Sequence, residues 1–266
     1  MRVIIHRNHE DASNWTADYI CSRINTYNKI NENKIPFVLG LPTGSSPLVI
    51  YRKFINMVKE KKLSFSNVVT FNMDEYIGLP PDHTQSYRFF MEENLFKHID
   101  INPENINLLN GIAEEPLKEC QLYEEKISKA GGIELFLGGM GSDGHIAFNE
   151  PGSSLQSRTR IKTLTNETRI ANARFFDGDP AKVPSTALTV GVGTVMDARE
   201  VVIIVSGSTK SRALKAAVEG AVSHWLPLSC LQMHQHAIIV CDEDAAGDLQ
   251  YNTVQYFRDI EGANLL

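Results

Sequence analysis

Three ionisable side chains stand close together in the stretch GGMGSDGHIAFNEPG, residues 138–152: Asp143, His145 and Glu150. Histidine is the side chain whose ordinary pKa lies near neutrality. A carboxylate beside it can hold the ring and raise its basicity, which makes a proton shuttle. The same residue types could instead bind a divalent metal, or the histidine could simply be bonded in a tight turn. No second His or Cys is spaced to complete a metal site, so no metal is expected. A second acidic pair, Asp74 and Glu75, lies in NMDEYIGLP just past the apolar run VVTF. One of the two can face a cleft as a base while the other caps the next segment, because neighbouring side chains diverge.

Two further turns could hold an anion. In PTGSSP, residues 42–47, Thr43, Ser45 and Ser46 supply hydroxyls and Gly44 permits close backbone approach. Pro47 suits a first helical turn, where free N–H groups and the helix dipole favour negative charge. Lys210, in the turn after VVIIVSG, could reach that anion if the two strands are neighbours, and Arg174 in ANARFF is a further cation. The P-loop, dinucleotide and nucleophile-elbow patterns are all missing. What the inventory suits is proton abstraction beside a carbonyl or imine of a sugar-phosphate-sized substrate, without an organic cofactor.

These groups need strand ends to hold them. Apolar runs at residues 3, 36, 68, 133, 201 and 237 have the length and continuity of strands covered on both faces. Between them lie helical stripes: Ala12, Trp15, Tyr19 and Ile24 after a cap at Asn8; Leu48, Tyr51, Ile55 and Val58; and Leu214, Ala217, Val218 and Ala221. The alternation predicts one α/β domain over 1–266, built on a mainly parallel sheet whose ligands bind at the C-terminal strand ends. Residues 153–190 read as irregular and are expected to form a mobile flap.

A hydrophobic fraction of 42% and a net charge of -6 fit a globular chain with no basic face for nucleic acid. The four cysteines are scattered, and the apolar runs are too short for a membrane span or a signal peptide. A cytoplasmic protein with reduced thiols is the expectation.

LPTGSSP, VVTFNMDEYIGLP, GGMGSDGHIAFNEPGSSLQSRTRIKTL and ALTVGVGT, with NINLLNG at 105, resemble the glucosamine-6-phosphate deaminase family from end to end. The resemblance implies a modified Rossmann-like three-layer αβα sandwich. It implies a deaminating enzyme, classed as a hydrolase, that converts D-glucosamine 6-phosphate and water to D-fructose 6-phosphate and ammonia without metal or cofactor. Asp74 would be the base between C2 and C1, with a lowered or modest pKa. His145 would open the pyranose ring, oriented and tuned by Asp143 and Glu150. Thr43, Gly44, Ser45, Ser46, Arg174 and Lys210 would hold the phosphate.

Bacterial members are often hexamers activated by N-acetylglucosamine 6-phosphate between subunits. Ser153, Arg160, Lys162 and Tyr256 match that site, so the resemblance points to an allosteric anion site in a homo-oligomer; the alternative is that they form ordinary surface pairs. Two departures stand out. GSSP replaces a GGTP common in relatives but keeps a hydroxyl, and SHWLPLSCLQMH departs from the bacterial hexamer pattern in a region of subunit contacts. A lactonase or isomerase on the same fold is the alternative enzyme, disfavoured as a lactonase by the intact acid set. A non-catalytic sugar-phosphate sensor would be expected to carry a DNA-binding helix pair, whereas the first apolar run here starts at residue 3.

Overall fold

The computed structural model describes residues 1–262. Ten strands and eight α-helices follow in the order β1 (Arg2–His6), α1 (His9–Ile30), β2 (Phe37–Leu41), α2 (Leu48–Lys59), β3 (Val68–Asn72), β4 (Asp74–Tyr76), α3 (Tyr87–Asn94), β5 (Ile106–Asn107), α4 (Pro116–Lys129), β6 (Leu135–Gly139), β7 (Arg160–Thr163), α5 (Asn166–Asn172), β8 (Thr186–Thr189), α6 (Val192–Met196), β9 (Glu200–Val205), α7 (Ser211–Glu219), β10 (Ala237–Asp242) and α8 (Tyr251–Glu261). All six apolar runs of the sequence are strands of one seven-stranded sheet, ordered β1-β10-β9-β6-β2-β3-β5 and parallel throughout.

Side-chain alternation along the strands divides the core into two. Val201, Ile203 and Val205 face α4, α6, α7 and α8, whereas Val202 and Ile204 face α1, α2 and α3. The result is the three-layer αβα sandwich expected of strands buried on both faces. α1 has 22 residues because it carries the chain from the edge strand β1 to the interior strand β2, touching β10 and β9 on the way. Asn8 caps it, accepting a hydrogen bond of 2.9 Å from the Asp11 N–H. The buried stripe of α2 is Ile50, Tyr51, Phe54 and Met57, so Leu48, Ile55 and Val58 flank the packed face rather than define it. Ala221 lies beyond the end of α7.

The sheet reverses its winding between β2 and β6. After β2 the chain moves outward to β3 and β5; after β6 it moves the other way to β9 and β10. Loops leaving two such strands diverge and open a crevice at their C-terminal ends. The segment 153–190 is more regular than its composition suggests. It contributes β7, α5 and β8, and β8 pairs antiparallel with both β7 and β4 to form a second, three-stranded sheet. Strand pairing supplies the order that polar Ser, Thr, Arg and Asn side chains conceal. Its apolar support is a separate small core of Tyr76, Phe148, Leu164, Ala173, Phe176, Val183 and Ala187.

Candidate active site

The loop after β6 carries the first half of the site. His145 Nδ1 and Asp143 Oδ1 are 2.6 Å apart, and the His145 backbone N–H donates to the same oxygen at 3.3 Å. Asp143 therefore holds the ring through Nδ1, leaving Nε2 without a hydrogen-bond partner among the described residues. Gly141 makes this placement possible. A Cβ there would stand 2.1 Å from His145 Cε1, so the imidazole sits against a residue that must lack a side chain. The His145 side chain is 32% exposed and that of Asp143 37%. Burial alone would raise the Asp143 carboxyl, but the hydrogen bond and charge of His145 bring it below the usual range.

Glu150 does not touch the imidazole. The turn closed by Asn149 N–H on the Ile146 carbonyl, with Ala147 in the left-handed region, reverses the chain between the two residues. Glu150, 2% exposed, points instead to the start of α5. Its Oε1 accepts from Thr165 N at 3.0 Å, from Thr165 Oγ1 at 2.9 Å and from Thr168 Oγ1. Lys162 Nζ stands 3.9 Å from Oε2, which accepts no hydrogen bond. Any influence of Glu150 on His145 is therefore exerted through the loop or through charge at a distance.

The second half is Asp74. It begins β4, opposite Thr189 of β8, and is 7% exposed. Thr189 Oγ1 also accepts the Phe148 N–H at 3.1 Å, so one hydroxyl ties the strand facing Asp74 to the histidine loop. Among the described residues no side chain or backbone N–H donates to the Asp74 carboxylate. Burial, reinforced by the charge of Glu75, pushes its pKa up to about 8. The Asp74 carboxyl is thus not held at a lowered or modest pKa, and the sequence could not reveal how completely water is excluded from it. Glu75 is the capping member of the pair. Its carboxylate accepts from Tyr76 N at 2.8 Å and, at the N-terminus of α3, from Tyr87 N and Arg88 N, both at 3.0 Å.

The anion turn lies where β2 gives way to α2. Gly44 has φ +94, and a Cβ there would meet nothing within 4 Å, so the turn opens to the crevice. Pro47 caps α2 without a side-chain hydrogen bond, and Leu48 N–H donates to the Ser45 carbonyl at 3.4 Å, so it is the N–H groups that follow in the first turn that remain available to a ligand. Tyr51 O–H anchors the turn by donating to the Pro42 carbonyl. β9 and β2 are not neighbours, since β6 runs between them. Lys210 bridges the gap by donating to the Met140 carbonyl at the end of β6. Its pKa is lowered by burial, with the Arg174 charge acting in the same direction and Asp143 opposing. Lys210, Arg174 and Asp143 thus share one electrostatic neighbourhood. Arg174 itself is exposed, with its guanidinium 4.7 Å from the Phe175 ring centroid.

A family described as glucosamine-6-phosphate isomerases/6-phosphogluconolactonase matches residues 7–240. The chain belongs to this family. Glucosamine-6-phosphate deaminase of Phocaeicola vulgatus is 60% identical over 265 residues, covering 100% of both chains. The deaminase of Borreliella burgdorferi is 58% identical over 264 residues, covering 99% of this chain and 98% of its own. A solved monomeric glucosamine-6-phosphate deaminase superposes with TM-score 0.87 at 37% identity, over 93% of this chain and 99% of that one. A 6-phosphogluconolactonase from Trypanosoma cruzi shares the fold at TM-score 0.69 and 19% identity, over 94% and 97% of the two chains.

This member of the isomerase/lactonase family places its four candidate effector residues unequally. Arg160 and Lys162 alternate onto one face of β7, and Lys162 approaches Glu150. Ser153 donates its N–H to the Glu150 carbonyl at 3.0 Å, and its buried hydroxyl has no partner. Tyr256 is exposed on α8, which packs on β1 at the far edge of the sheet. Its ring packs edge-on against Phe257, with centroids 5.2 Å apart, and among the described residues no hydrogen bond joins it to the other three. Neither a metal-binding group of three His, Cys, Asp or Glu nor a helix long and apolar enough to cross a membrane occurs among the described residues.

Proposed function

We propose that this chain converts D-glucosamine 6-phosphate and water to D-fructose 6-phosphate and ammonia. The carrying observation is the separation of two proton-transfer groups at one end of the sheet: a buried carboxyl on β4 and a carboxylate-held imidazole after β6. The end-to-end identity to deaminases supports the same reading.

The phosphate would sit on the Thr43–Ser46 turn with Lys210 and Arg174, fixing the sugar relative to both groups. His145 Nε2 would accept the O1 proton and return it to the ring oxygen, so the C1–O5 bond opens to an aldehyde. Asp74 would remove the C2 proton and deliver it to C1 while the C2 ammonium passes one of its protons to O1, leaving an iminium at C2. Water adds to C2, the C–N bond breaks and ammonia leaves. The raised pKa of Asp74 fits this order. An ammonium at C2 favours its charged form, so the base is generated when the amino sugar arrives.

Ser153, Arg160 and Lys162 would form a second anion site for an effector such as N-acetylglucosamine 6-phosphate. Tyr256 would then have to come from another copy of the chain in a homo-oligomer. The direct test is release of ammonia and fructose 6-phosphate from glucosamine 6-phosphate by the purified protein. Lactone hydrolysis or pentose phosphate isomerisation without ammonia would refute the reading.

A further inference from the structure

The ring-opening group and the carbon base are held by different elements in different environments. Asp143 and His145 stand half-exposed on the loop after β6, positioned by their own hydrogen bond and by the close approach of the imidazole to Gly141. Asp74 is enclosed by the β4–β8 pairing, and nothing in the Asp143–His145 couple bonds to it. Ring opening moves one proton from O1 to O5 and breaks C1–O5, both oxygens lying on the same carbon within reach of one Nε2. It needs neither a C2 amine nor Asp74. The later proton transfer does need Asp74 ionised, and a substrate without an ammonium gives a buried carboxyl no reason to release its proton. Burial already favours its neutral form.

We propose that the site has a second activity on 6-phosphorylated aldohexopyranoses that lack a C2 amine: interconversion of their α and β anomers without isomerisation to the ketose. The phosphate cradle of Thr43–Ser46, Lys210 and Arg174 recognises the part of the molecule that such sugars share with the amino sugar. His145 takes the O1 proton and gives it to O5, the C1–O5 bond breaks, and the aldehyde turns about C1–C2. O5 then attacks the other face of C1, the new C1–O5 bond forms, and the proton goes back to O1 through His145. Atoms and charge balance without any co-reactant. This inference rests on the ring-opening role given to His145 above.

Glucose 6-phosphate is the probe. Magnetisation-transfer NMR measures the exchange rate between its anomers, and a coupled assay measures fructose 6-phosphate. The native protein should accelerate anomer exchange while producing no ketose. Asp74→Asn should release no ammonia from glucosamine 6-phosphate yet still accelerate the exchange. His145→Gln, its fold checked by circular dichroism, should lose the acceleration by about 10²-fold or more. Asp143→Asn, which leaves the ring unoriented, should slow it less severely, and this keeps the test open if His145→Gln fails to fold.

Ammonia release without anomer exchange on glucose 6-phosphate would overturn the second activity and leave the deaminase reading standing. No ammonia release by the native protein would sink the deaminase reading itself. Exchange that survives in His145→Gln, or ketose formed from glucose 6-phosphate, would also overturn the proposal.

Discussion

Asp74 and Asp143 are the same residue type, each just past the C-terminal end of a strand of the large sheet, β3 and β6, and their surroundings drive them apart. Asp143 lies in a glycine-rich loop, partly in water, with a histidine to accept its charge, and its pKa falls. Asp74 lies in a paired strand without a donor, and its pKa rises to about 8. In the proposed reaction the first orients a proton shuttle at any ordinary pH, and the second becomes a base only when something favours its charge. Two acids kept in different protonation states are how one site can run two proton transfers in sequence.

The severest way to break this contrast is Asp74→Asn. Ammonia release should fall about 10³-fold or more, with substrate binding nearly preserved, as judged by turnover and by direct titration. Near-native turnover would remove Asp74 from the mechanism. His145→Gln should cost about 10²-fold in turnover with phosphate affinity intact, and a loss confined to affinity would assign the ring to binding instead. Lys210→Ala should weaken substrate binding by roughly tenfold, the scale of one charge-assisted hydrogen bond, and an unchanged KM would exclude Lys210 from the phosphate cradle.

The contrast also has a pH signature. A carboxyl that keeps its proton in the fold while the unfolded chain releases it stabilises the fold at low pH. That contribution is lost as pH climbs from the ordinary 3.8 to about 8. Asp74→Asn should therefore raise Tm by a few degrees at about pH 8 and leave it unchanged at about pH 4. Over the same range kcat/KM of the native protein should rise towards about pH 8, as the free site loses its proton. The smallest expected effect is in 153–190, where ligand should slow hydrogen exchange around α5, the helix held at its start by Glu150. Identical exchange with and without ligand would argue against a moving flap.

The apolar runs disclosed the large sheet because strands buried on both faces are written as continuous Val, Ile and Leu. The small sheet was illegible for the opposite reason. β4, β7 and β8 are three or four residues long, and DEY and RIKT carry charge, so their pairing is decided by partners distant in the chain. Asp143 and His145, two residues apart, could be joined from spacing alone. Glu150 looked like a third member because sequence proximity hides the turn at Ile146–Asn149. The division of labour between Asp74 and Glu75 was anticipated in kind, but assigning the cap to Glu75 required the location of the α3 N-terminus. Lys210 reached its place by a route the sequence could not show, across β6 rather than from an adjacent strand.

The order of the large sheet bears on how the chain comes to be folded at all. β1 has one neighbour, β10, and Arg2 lies beside Ile238. β1 cannot pair until β10, the last strand in the described order, has been made. Closing so long a loop is entropically slow, and an unpaired apolar strand invites misassembly while it waits. Folding must begin elsewhere, with β2 and β3 as natural early partners because α2 alone separates them. β1 would then be threaded home last, a late step on which chaperones have the longest time to act.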